Sequence, residues 1–252
     1  MTTNSAYKDK VSEFRSVLDK SIIISKLIAN KDIGLQNYWM SVLMVRYLNI
    51  AIAINRLLPN EGEEPSNMHS WDFGAIATLT RNFIETFHAF FYLGVEEIDD
   101  DEWNLRLKVF HLHDSSRRNE LFKLMGDISQ NEKFQEISEE LLLEIKNNKK
   151  FLTLNNNLQR RIIKAETAFI LSRQEIEKRI DPKDSSIKWV YMFLSNQSHS
   201  LPMAYYRTES EGRGSGVENE ADKGYIGLSI DWITDYLKKG HQYLENKQIL
   251  AN

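Results

Sequence analysis

Residues 71–94 read WDFGAIATLTRNFIETFHAFFYLG, and their apolar side chains recur at helical intervals. Ile76, Leu79, Phe83, Ile84, Phe87, Phe90 and Phe91 fall on one side of a helix that turns about 100° per residue. Ser70 stands where an N-cap belongs and Gly94 where such a helix closes, so the spacing predicts a helix over about 71–93.

The same periodicity extends outward in both directions. Upstream it predicts helices over about 5–28 and 35–58. The second is apolar on most sides, but Arg46, Asn49, Asn55 and Arg56 are costly at bilayer depth, which predicts a buried core helix and no membrane span. Downstream it predicts helices over about 102–125 (closed by Gly126), 129–146, 165–180 (ended by Asp181 and Pro182), 185–199, and 229–246 (capped by Ser229). The Asn-rich patch 147–157 is either a loop or the approach to a short helix at 158–163. The four prolines, at 59, 65, 182 and 202, coincide with breaks in periodicity. The expected fold is one all-α domain over 1–252, a bundle of about seven to eight helices. Its leading helices occupy 5–58, its core with the candidate site 70–205, a mobile Gly- and Ser-rich loop 207–225, and a last helix 229–246. A short irregular or hairpin segment is expected near 201–228.

A chain of 252 residues buries a sizeable core without staples. It has no cysteine, which excludes disulfide frameworks, thiolate metal sites and cysteine nucleophiles. The polar first ten residues lack the apolar run of a secretory signal, so a cytoplasmic location is expected. A net charge of −4 and a pI near 5.9 argue against coating nucleic acid through bulk positive charge. Local charge is uneven. Residues 59–102 hold eleven acids and one base, Arg81, while residues 146–188 hold eleven bases and five acids. Such regions attract each other, or the basic one faces a partner.

Three stretches carry candidate chemistry. Arg81, Glu85 and His88 share a stripe of the 71–93 helix, since seven positions amount to two turns within about 20°. A guanidinium fixes a phosphate and an imidazole moves a proton near neutral pH, so the pair suits metal-independent RNA cleavage by a ribose 2′-hydroxyl. The plainer account is an Arg81 to Glu85 bridge with His88 at the core edge. On the 102–125 helix, Arg106, His113 and Arg117 form one stripe and His111, Asp114 and Arg118 another; both suit salt-bridge surfaces. Ser195 and His199, one turn apart, are expected to face one pocket, with Asn196 and Ser198 as nearby donors, or else to form a polar helix end. The acidic run 96–102 lacks the spacing of a calcium loop and is read as a solvated turn. No cofactor motif or metal-ligand set is apparent.

Arg81, Asn82 and His88 resemble the Arg-polar-x-His signature of HEPN-type domains, helical domains common in toxins and antiviral defence. Over a longer span, about 70–205, the chain also resembles an uncharacterised bacterial family in which an Arg-x-x-x-Glu helix, here Arg81 and Glu85, precedes a Ser-x-x-x-His segment, here Ser195 and His199. The HEPN resemblance implies RNA as substrate, a metal-independent endoribonuclease, and a homodimer or partner protein that brings two sites together. Arg81 would bind the scissile phosphate, His88 would serve as base or acid, and Glu85 and His199 would orient or complete the site. The second resemblance implies one pocket of Arg81, Glu85 and His199, with His88 outside it. The rival expectation is a non-catalytic helical interaction or ligand-sensing module, which the acidic charge suits.

Overall fold

The computed structural model describes residues 3–29, 34–66, 69–183, 187–199, 201–206 and 212–247. Among them are eleven α-helices and no strand: α1 (Thr3–Ile28), α2 (Gly34–Leu57), α3 (Phe73–Phe90), α4 (Asp100–Met125), α5 (Ile128–Asn147), α6 (Lys149–Thr153), α7 (Asn156–Ile163), α8 (Arg173–Ile180), α9 (Ile187–Ser198), α10 (Pro202–Tyr205) and α11 (Glu220–Asn246). The protein is all-α, and the short α6, α7 and α10 account for the excess over seven or eight helices. Residues 207–211 of the expected mobile loop lie outside the described residues. The chain divides into two compact units, Met1–Val95 with Glu177–Asn252, and Glu96–Ile176.

In the first unit α3 packs on α2, α9 and α11, while α1 packs on α2 and α11. Its centre is aromatic. The Tyr47 ring lies 5.6, 5.5 and 5.2 Å from those of Phe83, Phe87 and Phe90, and burial pushes the Tyr47 phenol well above its usual range. Sealing each such ring from water contributes roughly 1.5–3 kcal/mol. The helix α2, apolar on most sides, buries Met40, Leu43, Met44, Tyr47, Leu48, Ile50, Ala51 and Ile54 here.

Two expected helix ends are corrected. Asp72, not Ser70, caps α3, its carboxylate accepting from the Ala75 amide at 3.2 Å. Asn219, not Ser229, caps α11, accepting from the Asp222 amide at 2.8 Å. Ser229 lies inside the helix with its hydroxyl donating to the Tyr225 carbonyl at 3.1 Å. The extra turns form because Glu220 and Asp222 supply acids to the first turn, where the helix dipole favours them.

Gly94 does not close α3 as a left-handed cap. The chain leaves α3 through a π-helical turn, Phe91–Val95, and Gly94 lies there because α2 passes against it. A β-carbon on Gly94 would stand 2.7 Å from the Met40 α-carbon, a backbone atom that no rotamer change can move. Gly94→Ala is expected to destabilise the fold by about 1–3 kcal/mol, read as a lower midpoint in urea with an unchanged m-value.

In the second unit α4 and α5 form a helical hairpin. Gly126, at φ +73°, closes α4, and Asp127 caps α5. The acidic run is more organised than a solvated turn: the Asp99 carboxylate accepts from the Glu102 amide at 2.8 Å, and Glu96 and Glu102 hold the fully buried Arg106 at 2.5 and 2.6 Å. The Asn-rich patch becomes two capped short helices, Asn148 accepting from the Phe151 amide and Asn155 from the Leu158 amide. The helix expected over 165–180 shortens to α8, because Ala165 adopts φ +50° and its amide closes α7 on the Ile162 carbonyl at 2.8 Å.

The buried histidine of α11 gives stability a pH dependence. Burial, and then the charge of Lys20, hold His241 below the usual imidazole range, against the smaller pull of Glu245. Its Nε2 lies 2.7 Å from the Ser21 hydroxyl. Below about pH 6.5 the unfolded chain takes a proton that the folded chain refuses. Stability therefore falls from there down to the depressed folded value and is flat in this respect above it. His111 and His113, lowered mainly by burial, act in the same direction. Urea denaturation at pH 5.5 and 7.5 is expected to show the loss, and His241→Gln to reduce it.

Candidate functional site

One stripe of α3 stays outside the core. Gly74, Thr78, Arg81 and Glu85 succeed one another at steps of four, three and four residues and are half-buried or exposed, while Ile76, Ala77, Phe83, Ile84 and Phe87 are buried. The helix α9 packs beside it and presents Tyr191 and, just past its end, the exposed His199.

Among the described residues four side chains meet there. The Arg81 Nε donates to Glu85 Oε1 at 3.3 Å and to the Tyr191 hydroxyl at 3.0 Å. Its Nη2 donates to the same hydroxyl at 2.6 Å, and its Nη1 to His199 Nε2 at 2.7 Å. Tyr191 in turn donates to Glu85 Oε1 at 2.5 Å. The Arg81 side chain keeps 18% of its exposure and Glu85 39%, so their ion pair is worth at most about 1 kcal/mol. The value of the cluster is positional.

The geometry fixes chemical roles. An arginine nitrogen only donates, so His199 Nε2 accepts in this contact. The guanidinium has five N–H groups, of which Nε, one on Nη1 and one on Nη2 are engaged. One N–H on each terminal nitrogen is left, a fork suited to two oxygens of an anion. An accepting nitrogen and two guanidinium N–H groups without a partner among the described residues thus stand side by side at a partly exposed edge.

His88 is placed elsewhere. It is 3% exposed, and its Nε2 lies 2.6 Å from Oε2 of Glu177, itself 1% exposed. Tyr236 donates to the same oxygen at 2.8 Å. Although Arg81 and His88 lie nearly in line along α3, the stripe passes beneath Glu177 and Tyr236 before it reaches His88. The structure therefore brings together Arg81, Glu85 and His199 and leaves His88 in a sealed polar triad.

The remaining candidates are local. Asn196 and Ser198 turn back onto the carbonyls of Met192 and Leu194, and Ser195 meets His199 only through its backbone carbonyl, at 3.1 Å. Arg118 pairs with Asp114 at 2.8 Å and Arg117 with Glu120 at 2.9 Å, all exposed. Among the described residues no group of three His, Asp or Glu side chains is placed to hold a metal ion. Sequence reasoning missed two participants. Tyr191 reads as an apolar, inward-facing residue, and only its hydroxyl, eight positions before His199, signals otherwise; Glu177 reads as one more charge on a polar helix.

A family model described as a family of unknown function (DUF5677) matches residues 37–214, a span that holds all four residues of the cluster. No curated protein and no solved structure matches the chain.

Proposed function

The chain belongs to this family of unknown function, and we propose that it is a metal-independent endoribonuclease of toxin or antiviral-defence type, with Arg81 and His199 as its reacting pair. The observation that carries the proposal is the 2.7 Å contact from Arg81 Nη1 to His199 Nε2 at an exposed edge, with two further N–H groups uncommitted. In the reaction, an RNA phosphate engages the fork, and His199 Nε2 exchanges its contact with Arg81 Nη1 for the ribose 2′-hydroxyl, whose proton it takes. That oxygen forms a bond to phosphorus as the bond to the 5′ oxygen breaks. Water protonates the departing oxygen, and the hydroxide so formed takes the proton from His199, leaving a 2′,3′-cyclic phosphate and a 5′-hydroxyl. Arg81 offsets the charge that grows on the phosphorane. Tyr191 and Glu85 hold the guanidinium in place and are positioning residues. The proposal includes pairing of two sites in a homodimer or with a partner protein, as the HEPN resemblance implies.

One observation favours the rival, a non-catalytic interaction module: Glu85 already offsets the Arg81 charge, and Tyr191 already ties α9 to α3. Expression with total-RNA analysis separates the two. Growth arrest with RNA fragmentation, both lost in folded Arg81→Ala and His199→Ala variants, supports the nuclease. Intact RNA from wild-type protein, expressed with any partner that co-purifies with it, supports the module.

A further inference from the structure

The face of α3 that carries Arg81 leads to a cavity. About two turns toward the start of the helix, roughly 10 Å along its axis, Gly74 joins Trp71, Asp72, Phe73, Gln197, Tyr205, Arg213 and Asp222 around a space of about 330 Å³. That volume lies at the small end of the range, about 300–1,000 Å³, of sites that take small organic molecules.

Two polar groups in its wall meet no protein partner among the described residues, one of them sealed from solvent and one open to the cavity. Gln197 is 8% exposed, and its side-chain amide makes no hydrogen bond among the described residues. The indole N–H of Trp71, 2% exposed, has none either. Buried polar groups are satisfied as a rule, so the unpartnered Trp71 N–H, beside an amide that makes no bond within the protein, leaves this wall with hydrogen-bonding capacity for a ligand. The charges of the wall exclude an anion: Arg213 is already held by Asp222 at 3.1 Å, and Asp72 leaves the balance at −1. What fits is a neutral, planar group with a donor and an acceptor on one edge. A primary amide matches that edge in two hydrogen bonds, as it does for adenine. Carboxylates nearby favour an exocyclic amino group over a carbonyl.

We propose that this cavity holds an adenine base of the RNA strand bound at Arg81 and His199, and so selects where the strand is cut; the strand assignment rests on the nuclease reading of that site. Titration calorimetry of the full chain with adenosine and inosine, which differ in the 6-amino group, tests the pocket without any cleavage. Adenosine is expected to bind about tenfold or more tighter than inosine, to be lost in Gln197→Leu, and to be kept in Arg81→Ala. Gln197→Leu removes an amide that makes no hydrogen bond within the described residues, so its Tm is expected to stay within a few degrees of wild type, which separates lost binding from lost folding. Adenosine that fails to bind, or binds Gln197→Leu equally, overturns the pocket, whether or not RNA is cut.

A 2′-O-methyl oligonucleotide containing adenosine distinguishes a strand from a free nucleotide. Binding tighter than that of AMP, with the advantage lost in Arg81→Ala, supports the strand. Equal binding of AMP and oligonucleotide, indifferent to Arg81, overturns the strand assignment. Gln197-dependent adenosine binding by a protein whose Arg81→Ala variant cuts RNA as the wild type does overturns the nuclease site and leaves the pocket.

Discussion

Arg81→Ala and His199→Ala are each expected to lower the rate of RNA cleavage by about 10²–10⁴-fold while leaving the fold intact. The two act at one point in the reaction, Arg81 on the phosphate charge and His199 on the 2′-hydroxyl proton, so the double variant should fall little below the worse single one. Stability should barely register either change, because the Arg81 ion pair is partly exposed and His199 is exposed. Arg81→Lys is an informative intermediate. It keeps the charge, but a single ammonium cannot hold Tyr191 and two phosphate oxygens in one plane. Most of the activity should be lost with it. Glu85→Gln and Tyr191→Phe touch only the positioning of the guanidinium and should cost less than Arg81→Ala.

His88→Ala is expected to act on stability instead. Glu177 is buried with His88 and Tyr236 as its partners at 2.6 and 2.8 Å, and its other oxygen already has none. Removing the imidazole leaves a buried carboxylate poorly matched and opens a hole, a loss of about 3–5 kcal/mol. For a chain of this size that lowers Tm by roughly 6–20 °C. Thermal unfolding by circular dichroism reads the effect directly. At a temperature where the variant is still folded, its cleavage rate should stay within a few-fold of wild type; a catalytic His88 would show the opposite pattern, with little change in Tm and a large loss of rate.

The two histidines show how far sequence reaches. Helical spacing places Arg81, Glu85 and His88 on one stripe of α3, and in azimuth they do lie together. Spacing along one helix cannot report what covers the stripe. Over His88 that cover is Glu177 and Tyr236, residues 89 and 148 positions away in the chain, and over Arg81 it is the partial cover of Tyr191 and His199, 110 and 118 positions away. The Arg-x-x-x-Glu and Ser-x-x-x-His patterns, by contrast, connect α3 with the end of α9 and so carry long-range information that periodicity lacks. Tyr191 escaped notice because one side chain combines an apolar ring with a polar tip, and the helical pattern registers only the ring.

Local structure was legible where its cause is local. The ends of α2, α4, α5 and α9 fall within about two residues of those read from glycine, proline and cap residues, the ordinary spread of helix boundaries. The exceptions have tertiary causes. Ala165 takes a left-handed conformation that its type does not announce. Gly94 serves the passage of Met40 instead of a helix end, and Asn219 outcompetes Ser229 as a cap because Asp222 is held by Arg213 and Asn219.

The most direct test is cleavage of a single-stranded RNA of mixed sequence by the purified chain in EDTA, with the product ends identified by mass spectrometry. The expected result is fragments ending in 2′,3′-cyclic phosphate, lost in Arg81→Ala and His199→Ala and retained in His88→Ala at a temperature where it is folded. Fragments formed equally by wild type, Arg81→Ala and His199→Ala, or RNA left intact by folded wild-type protein together with any partner that co-purifies, would contradict the assignment.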